Sequence, residues 1–165
     1  MDRFEGLTTP DRVESQPAQT ADELFDLARV RRAELGLDYA GAVTPREAWQ
    51  LFQQRAATLI DVRTRAEFKF VGFVPGSENI EWHGKDEGPL SKFLEELRDT
   101  ADPDRPILLL CRSSVRSHAA ASAATAAGFT RVYNVLEGFE GQLDARRQRG
   151  HVNGWRRAGL PWMQD

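Results

Sequence analysis

The feature that most constrains the fold is a continuous apolar segment at residues 107–110, Ile-Leu-Leu-Leu, which lies between Pro106 and a polar loop. A short apolar run with such flanks is typical of a β-strand that is buried on both faces. The sequence predicts three further strands, at 58–62, 77–81 and 131–135, with helices between them. Strands that alternate with helices predict an α/β fold, in which helices cover both faces of a mainly parallel sheet.

The loop after this central strand contains the only cysteine of the chain, Cys111. A helix is predicted directly after the loop, at 117–127, so the thiol faces the N–H groups that begin a helix. Those N–H groups have no carbonyl partner within the helix, and together with the helix dipole they favour an anion. Arg112 and Arg116 add two permanent positive charges. This setting predicts a reactive thiolate.

The alternative interpretation of Cys111 is an inert core residue, which is common for a free cysteine. Charged side chains are costly to bury, so the two arginines and two serines that follow it favour the reactive interpretation. A single cysteine excludes an intramolecular disulfide and a cysteine-rich zinc site, and His83, His118 and His151 lack the spacing of metal ligands. We therefore expect no metal and no cofactor. His118 is expected to face solvent, with support of the site as the alternative.

Residues 111–116 resemble the active-site loop of the rhodanese family, the single-domain sulfurtransferases. The resemblance extends to 59–63, Leu-Ile-Asp-Val-Arg, which is similar to the family's first core strand and Asp-Val-Arg signature, and to the turn at 72–77. It continues through the last strand and glycine turn at 128–138 and covers roughly positions 43–163. The resemblance implies a rhodanese-like α/β domain with a central, mainly parallel five-stranded sheet and helices on both faces.

The resemblance also implies a chemistry, in which the Cys111 thiolate takes sulfur from an anionic donor, thiosulfate-like or a persulfide. The resulting persulfide then passes its sulfur to a cyanide or thiol acceptor, the thiol being a small molecule or a protein cysteine. The implied substrate-binding residues are Arg112, Ser113, Ser114, Val115, Arg116 and Ser117, and the implied supporting residues are Asp61 and Arg63.

Two departures from the family pattern keep alternatives open. Ser114 stands where many relatives have glycine, and Phe73 stands where the family usually has histidine. Serine at position 114 is expected to strain the loop or narrow the anion site, because glycine accepts a positive φ at little cost. One alternative is therefore a rhodanese module that carries or binds persulfide without fast turnover. A weaker one is a cysteine-dependent phosphatase or arsenate reductase, although Cys-x4-Arg is shorter than the Cys-x5-Arg of phosphatases.

The rest of the sequence indicates what precedes this domain and where the protein is expected to be located. Residues 1–19 are expected to form a poorly ordered tail and 20–42 a helical extension, ahead of a rhodanese-like domain at 43–163. The net charge of −3 gives no general attraction to nucleic acid or anionic membranes. No apolar stretch is long enough to cross a membrane, and the N-terminus does not resemble a secretory signal. We expect a cytoplasmic protein, and the sequence leaves the oligomeric state open.

Overall fold

The computed structural model describes residues 18–84 and 90–165. The predicted tail therefore lies almost entirely outside the described residues. The elements, in chain order, are α1 (Ala21–Leu35), β1 (Gly41–Val43), α2 (Pro45–Gln53), β2 (Thr58–Asp61), α3 (Arg65–Phe70), β3 (Glu78–Asn79), α4 (Leu90–Thr100), β4 (Ile107–Leu110), α5 (Val115–Ala126) and β5 (Val132–Val135). None of the helices in the described ranges is long and apolar enough to cross a membrane.

The five strands form one sheet in the order β1-β5-β4-β2-β3, and every neighbouring pair is parallel. The prediction of a five-stranded parallel sheet with helices is confirmed. Strand β4 lies at the centre, between β5 and β2, as its continuous apolar run predicted. The edge strand β1 comes from the segment that joins the N-terminal helix to the rest of the chain, and Ala42 pairs with Asn134 of β5.

Local signals in the sequence explain where several helices begin. Thr44 caps α2 in a capping box with Glu47, and Pro45 occupies the first turn. A second capping box, between Thr64 and Glu67, begins α3. These boxes satisfy N–H groups that the first turn of a helix leaves without a partner. The second box matters for function because it fixes a carboxylate beside the Cys111 loop.

Two apolar clusters cover the two faces of the sheet. The side chains of β4 alternate between them: Ile107 and Leu109 belong to one cluster, Leu108 and Leu110 to the other. The first cluster includes Phe93 and Leu97 of α4 and Ala120 and Ala124 of α5. The second includes Leu24 of α1, Leu51 of α2 and Trp155 from the C-terminal segment. Helix α1, which lies outside the resemblance seen in the sequence, thus packs within the chain.

Candidate active site

The candidate site lies at the carboxyl end of the central strand. Cys111 directly follows β4, and its side chain is fully buried. Its backbone carbonyl accepts the N–H of Phe139 at 2.7 Å, which ties the loop to the segment after β5. Gly138 has a φ of +72°, and a Cβ there would collide with the backbone of Arg112. Glycine thus lets the two loops approach closely. In parallel α/β sheets, ligands bind beyond the carboxyl ends of the strands.

The sulfur of Cys111 has two polar neighbours in the loop and the helix that follows it. The backbone N–H of Ser114 donates to Sγ at 3.1 Å, and the Ser117 hydroxyl oxygen lies 3.2 Å from Sγ. Ser117 is fully buried. The Ser114 N–H is a donor that stabilises a thiolate, and the Ser117 hydroxyl lies within reach to do so when its hydrogen is not given to Asn134. The loop therefore presents hydrogen-bond donors to the only thiol of the chain, as the sequence predicted for a loop that leads into a helix.

Ser114, the residue that departs from the family's glycine, has a left-handed backbone with a φ of +86°. A residue with a side chain adopts this region at a cost, whereas glycine does so readily. The Ser114 hydroxyl accepts a hydrogen bond from Nδ2 of Asn134 at 2.8 Å. The structure thus places the expected strain at this position, and it also gives the serine side chain a partner that glycine would lack.

The two arginines of the loop have different surroundings. Arg116 donates from its two terminal nitrogens to the two carboxylate oxygens of Glu67, at 2.6 and 2.8 Å. Arg112 is exposed, and its side chain has no hydrogen bond or ion pair with any residue that the structure describes. Both were predicted to bind the donor. Because the outer nitrogens of Arg116 already contact Glu67, Arg112 is the arginine whose charge faces solvent at this loop.

The Glu67–Arg116 pair is strongly stabilised in its charged form. Burial opposes the charge of Glu67, but the hydrogen bonds and positive charge of Arg116, with hydrogen bonds from Thr64, lower the pKa of Glu67 from 4.5 to about 2. The hydrogen bond to Glu67 in turn raises the pKa of Arg116. The loop therefore keeps this ion pair throughout the neutral range.

Asp61 and Arg63, the predicted supporting residues, form a second ion pair at the end of β2. Both side chains are fully buried, and Nη2 of Arg63 lies 2.6 Å from Oδ2 of Asp61. Arg63 also donates to the Gly72 carbonyl at 2.7 Å, and its guanidinium lies over the Phe139 ring, 4.3 Å from the centroid. Burial raises the pKa of the Asp61 carboxyl, while the hydrogen bonds and charge of Arg63 act against that rise.

The structure adds two site residues that the sequence interpretation missed. Glu67 holds Arg116 across 49 positions of the chain, a separation that no local pattern reports. Asn134 is 2% exposed in β5 and contacts both Ser114 and Ser117. A polar residue in the otherwise apolar run Val132–Val135 was the available signal for Asn134, since buried amides need hydrogen-bond partners.

A groove of about 530 Å³ lies beside the loop and is lined by residues from the loop, from β5 and from the segment after α1. His118 lies at its wall and is exposed. The lining residues are Leu35, Leu37, Tyr39, Ser113, Ser114, Val115, His118, Asn134, Leu136, Glu137 and Gln142. Within residues 18–84 and 90–165 there is no cluster of three or more His, Cys, Asp or Glu side chains that could hold a metal ion.

Comparison with known proteins identifies the family. The family described as rhodanese-like domain matches residues 44–145, which include Cys111 and the two ion pairs. The chain belongs to the rhodanese-like family. This confirms the resemblance seen in the sequence, and the match falls within the 43–163 region assigned to the domain.

This rhodanese-like chain is also similar to individual proteins from several bacteria. The crystal structure of Rv0390 from M. tuberculosis is 46% identical, covers 78% of this chain and 100% of its own, and superimposes with a TM-score of 0.68. The thiosulfate sulfurtransferase GlpE of Actinobacillus succinogenes is 29% identical over 72% of this chain and 86% of its own. The protein of the same name from Glaesserella parasuis is 33% identical over 60% of this chain and 82% of its own.

Proposed function

We propose that the protein moves sulfane sulfur from an anionic donor to a thiol or cyanide acceptor through a persulfide on Cys111. The observation that carries this proposal is the position of the Cys111 sulfur, which accepts the Ser114 N–H and lies beside the Ser117 hydroxyl at the start of α5. Family membership and the names of the relatives support sulfurtransferase activity in general. The donor, the acceptor and the persulfide step are our inference.

The reaction needs two displacements at sulfur. The Cys111 thiolate attacks the outer sulfur of thiosulfate, a new S–S bond forms, and the original S–S bond breaks with its electron pair leaving on sulfite. An acceptor thiolate or cyanide then attacks the terminal sulfur of the Cys111 persulfide, and Cys111 leaves as a thiolate. Covalent catalysis of this kind divides one transfer into two steps at the same nucleophile. No metal or cofactor enters either step.

The loop residues have separate roles in binding the donor, stabilising negative charge and positioning the loop. Arg112, exposed at the edge of the loop, attracts and holds the oxygen atoms of the donor. The N–H groups of Ser113, Ser114, Val115, Arg116 and Ser117 stabilise negative charge on sulfur or on the bound donor. The Arg116 side chain keeps the loop in position through Glu67, and its charge acts on the thiolate from the side.

The Cys111 loop is better suited to a sulfur substrate than to phosphate. Ser117 occupies the position at which a Cys-x5-Arg phosphatase has its arginine, and its hydroxyl contacts Cys111 and Asn134 in the buried interior. The other alternative, a persulfide carrier without fast turnover, shares the loop and differs only in rate.

A reduced compartment such as the cytoplasm suits a protein that depends on a free thiol. We assign 43–163 to the rhodanese-like domain and 20–42 to an extension that packs on it.

The test compares three activities in wild type and in Cys111→Ser. We expect wild type to form thiocyanate from thiosulfate and cyanide with turnover, Cys111→Ser to form none, and neither to hydrolyse an aryl phosphate. Persulfide formation without turnover would identify a carrier. Phosphate release that depends on Cys111, or thiocyanate formation at a tenth of the wild-type rate in Cys111→Ser, would contradict the proposal. Ser122→Ala, a change on the exposed face of α5, is the matched control and should behave as wild type.

A further inference from the structure

A row of polar side chains leads from the Cys111 sulfur to His118 at the surface. Ser117 Oγ lies 3.2 Å from the sulfur and 2.6 Å from Oδ1 of Asn134. Nδ2 of Asn134 lies 2.8 Å from the Ser114 hydroxyl, which can accept or donate, and 3.4 Å from the Tyr39 hydroxyl. The Tyr39 hydroxyl lies 2.7 Å from Nδ1 of His118. Ser117, Asn134 and Tyr39 are all at most 2% exposed. The row is therefore mostly buried, and it meets the groove beside the loop at Asn134, Tyr39 and the exposed His118.

The Ser117 hydroxyl has more acceptors than hydrogens. Its oxygen lies within reach of Oδ1 of Asn134 at 2.6 Å, of Cys111 Sγ at 3.2 Å and of the Ser114 carbonyl at 3.2 Å. A hydroxyl has one hydrogen to donate. When Asn134 presents its oxygen, the hydrogen goes to Asn134. When the amide is turned over, its NH2 group donates to Ser117, and the Ser117 hydrogen is available to the sulfur. The orientation of an amide is set by its hydrogen-bond partners.

We propose that Asn134 is a positioning residue whose amide orientation decides whether Ser117 donates to the Cys111 sulfur, and that Tyr39 and His118 set that orientation. This inference rests on the proposed function, because it concerns how the nucleophilic thiolate is stabilised. It assigns a role in the chemistry to Tyr39, which lies in the N-terminal extension before β1.

The hydrogen bonds of the row can be arranged in two ways, in which every donor and acceptor is exchanged. In the first, the neutral thiol donates to Ser117, Ser117 to the Asn134 oxygen, the Asn134 nitrogen to Tyr39, and Tyr39 to an unprotonated Nδ1 of His118. In the second, each bond is reversed: protonated His118 donates to Tyr39, Tyr39 to the Asn134 oxygen, the Asn134 nitrogen to Ser117, and Ser117 to the thiolate. Protonated His118 and ionised Cys111 therefore belong to the same arrangement.

Other charged groups surround the two ends of this row. Near Cys111 they are Arg112 of the same loop and Arg116 of α5, with Glu67 of α3 and Asp61 of β2 beside Arg116. Near Tyr39 and His118 they are Asp38, which accepts from Ser122, and Glu137 on the groove wall. Glu67, with a pKa of about 2, stays charged at neutral pH. Burial raises the pKa of Tyr39, so its hydroxyl keeps its hydrogen at neutral pH. Cys111 and His118 are the two groups whose proton exchange the row can couple.

The first test measures the rate of Cys111 alkylation by iodoacetamide against pH, with no sulfur donor present. Removing the Ser117 donor in Ser117→Ala should move the midpoint up by about one pH unit, and removing one hydroxyl from the row in Tyr39→Phe by about half a unit. Tyr133→Phe is the matched control, since Tyr133 is a buried tyrosine next to Asn134 in β5 but packs on the other face of the sheet and is not in the row. Equal midpoints in Tyr39→Phe and Tyr133→Phe would contradict the inference.

A double-mutant cycle tests Asn134 itself. Asn134→Asp keeps the shape but leaves only acceptors, so Ser117 must donate to it and the sulfur loses that hydrogen. We expect the alkylation midpoint to rise by more than one unit, and the same change to have a smaller effect in the Ser117→Ala background. An equal rise in both backgrounds would mean that only the added charge acts, and would overturn the positioning role.

The reciprocal test measures His118 after the thiol at the other end of the row is removed. If Cys111 ionisation favours protonated His118, removing the thiol must change the titration of His118 by the same coupling. The NMR titration midpoint of the His118 ring should therefore be lower in Cys111→Ser than in wild type. The His118 midpoint should be the same in Tyr39→Phe and in the double variant Tyr39→Phe/Cys111→Ser. His83 and His151 serve as internal controls and should not change. An unchanged His118 midpoint would overturn the inference.

A sulfur-transfer assay on the same set separates the inference from the proposed function. No thiocyanate formation by wild type, together with shifted alkylation midpoints in the variants, would reject the function and support the row. Normal thiocyanate formation, together with the same midpoint in wild type, Ser117→Ala and Tyr39→Phe, would support the function and overturn the row.

Discussion

The turn after β2 and the loop after β4 end at the same edge of the sheet, yet they use arginine in opposite ways. In the turn, Arg63 is fully buried and bound to Asp61, the last residue of β2. In the loop, Arg112 faces solvent, and Arg116 reaches outside the loop to Glu67. An arginine that is sealed beside its own carboxylate cannot bind an external anion. The turn therefore supports the site, and the loop contains the groups that meet the substrate.

Glu67 connects the two regions. It begins α3, the helix that follows the β2 turn, and its carboxylate binds Arg116 of the β4 loop. The position of the loop thus depends on a capping box in the supporting region. One strand end therefore holds its charges in a buried pair, and the other presents a thiol and an arginine with no bonded partner among the described residues. Each of the following changes tests part of this difference.

The largest expected effect is the loss of the buried pair in the turn. Asp61→Asn leaves the Arg63 charge without compensation in the interior, which should lower the free energy of unfolding by about 3–5 kcal/mol. Urea denaturation measures this change. Asp61→Asn combined with Arg63→Met should recover much of the loss, because it removes both charges. The exposed Asp99→Asn is the matched control. A loss below about 1 kcal/mol would contradict a supporting role.

The next effect concerns Arg112, whose side chain has no bonded partner among the described residues. Arg112→Ala should raise KM for thiosulfate roughly tenfold or more, since a charge-assisted hydrogen bond is worth about 1.5–3 kcal/mol. Stability should change little because the side chain is exposed. Arg146→Ala, another exposed arginine, is the control. Equal KM values in the two variants would remove Arg112 from donor binding and would erase the contrast between turn and loop.

A smaller effect is expected from breaking the connection. Glu67→Gln should lower the free energy of unfolding by about 1–2 kcal/mol, through the capping box and the ion pair. Because the pKa of Glu67 falls from 4.5 to about 2 on folding, its stabilisation is fully present above pH 4.5 and is lost as pH falls toward 2. The stability difference between wild type and Glu67→Gln should therefore shrink over that range. The exposed Glu95→Gln serves as control, and a constant difference would contradict the ion pair.

The smallest effect is expected at Ser114. Ser114→Gly relieves the left-handed backbone, worth on the order of 1–3 kcal/mol, but loses the contact with Asn134, worth about 0.5–1.5 kcal/mol. The two terms nearly offset, so thermal denaturation should show little change and the turnover rate should stay the same or rise. A large fall in turnover would show that the serine hydroxyl contacts the substrate.

The sequence predicted the parts of the site that are contiguous in the chain. Cys111 and its loop were found because a buried strand, a thiol and a helix follow one another within a few residues, and the sheet was predicted from the alternation of strands and helices. Strand β1 was not located, because its three residues, Gly-Ala-Val, are too short to show a period. The Arg116–Glu67 pair was not found because its partners meet only through the fold. Tyr39 and Asn134 were missed for the same reason.

The central claim, a persulfide on Cys111, has one direct measurement. The protein is incubated with thiosulfate, the small molecules are removed, and the intact mass and the Cys111 peptide are measured before and after addition of a thiol. We expect a gain of one sulfur atom, located on Cys111, that persists without acceptor and disappears at a rate that rises with thiol concentration. No added sulfur on Cys111, while wild type still forms thiocyanate from thiosulfate and cyanide, would contradict it.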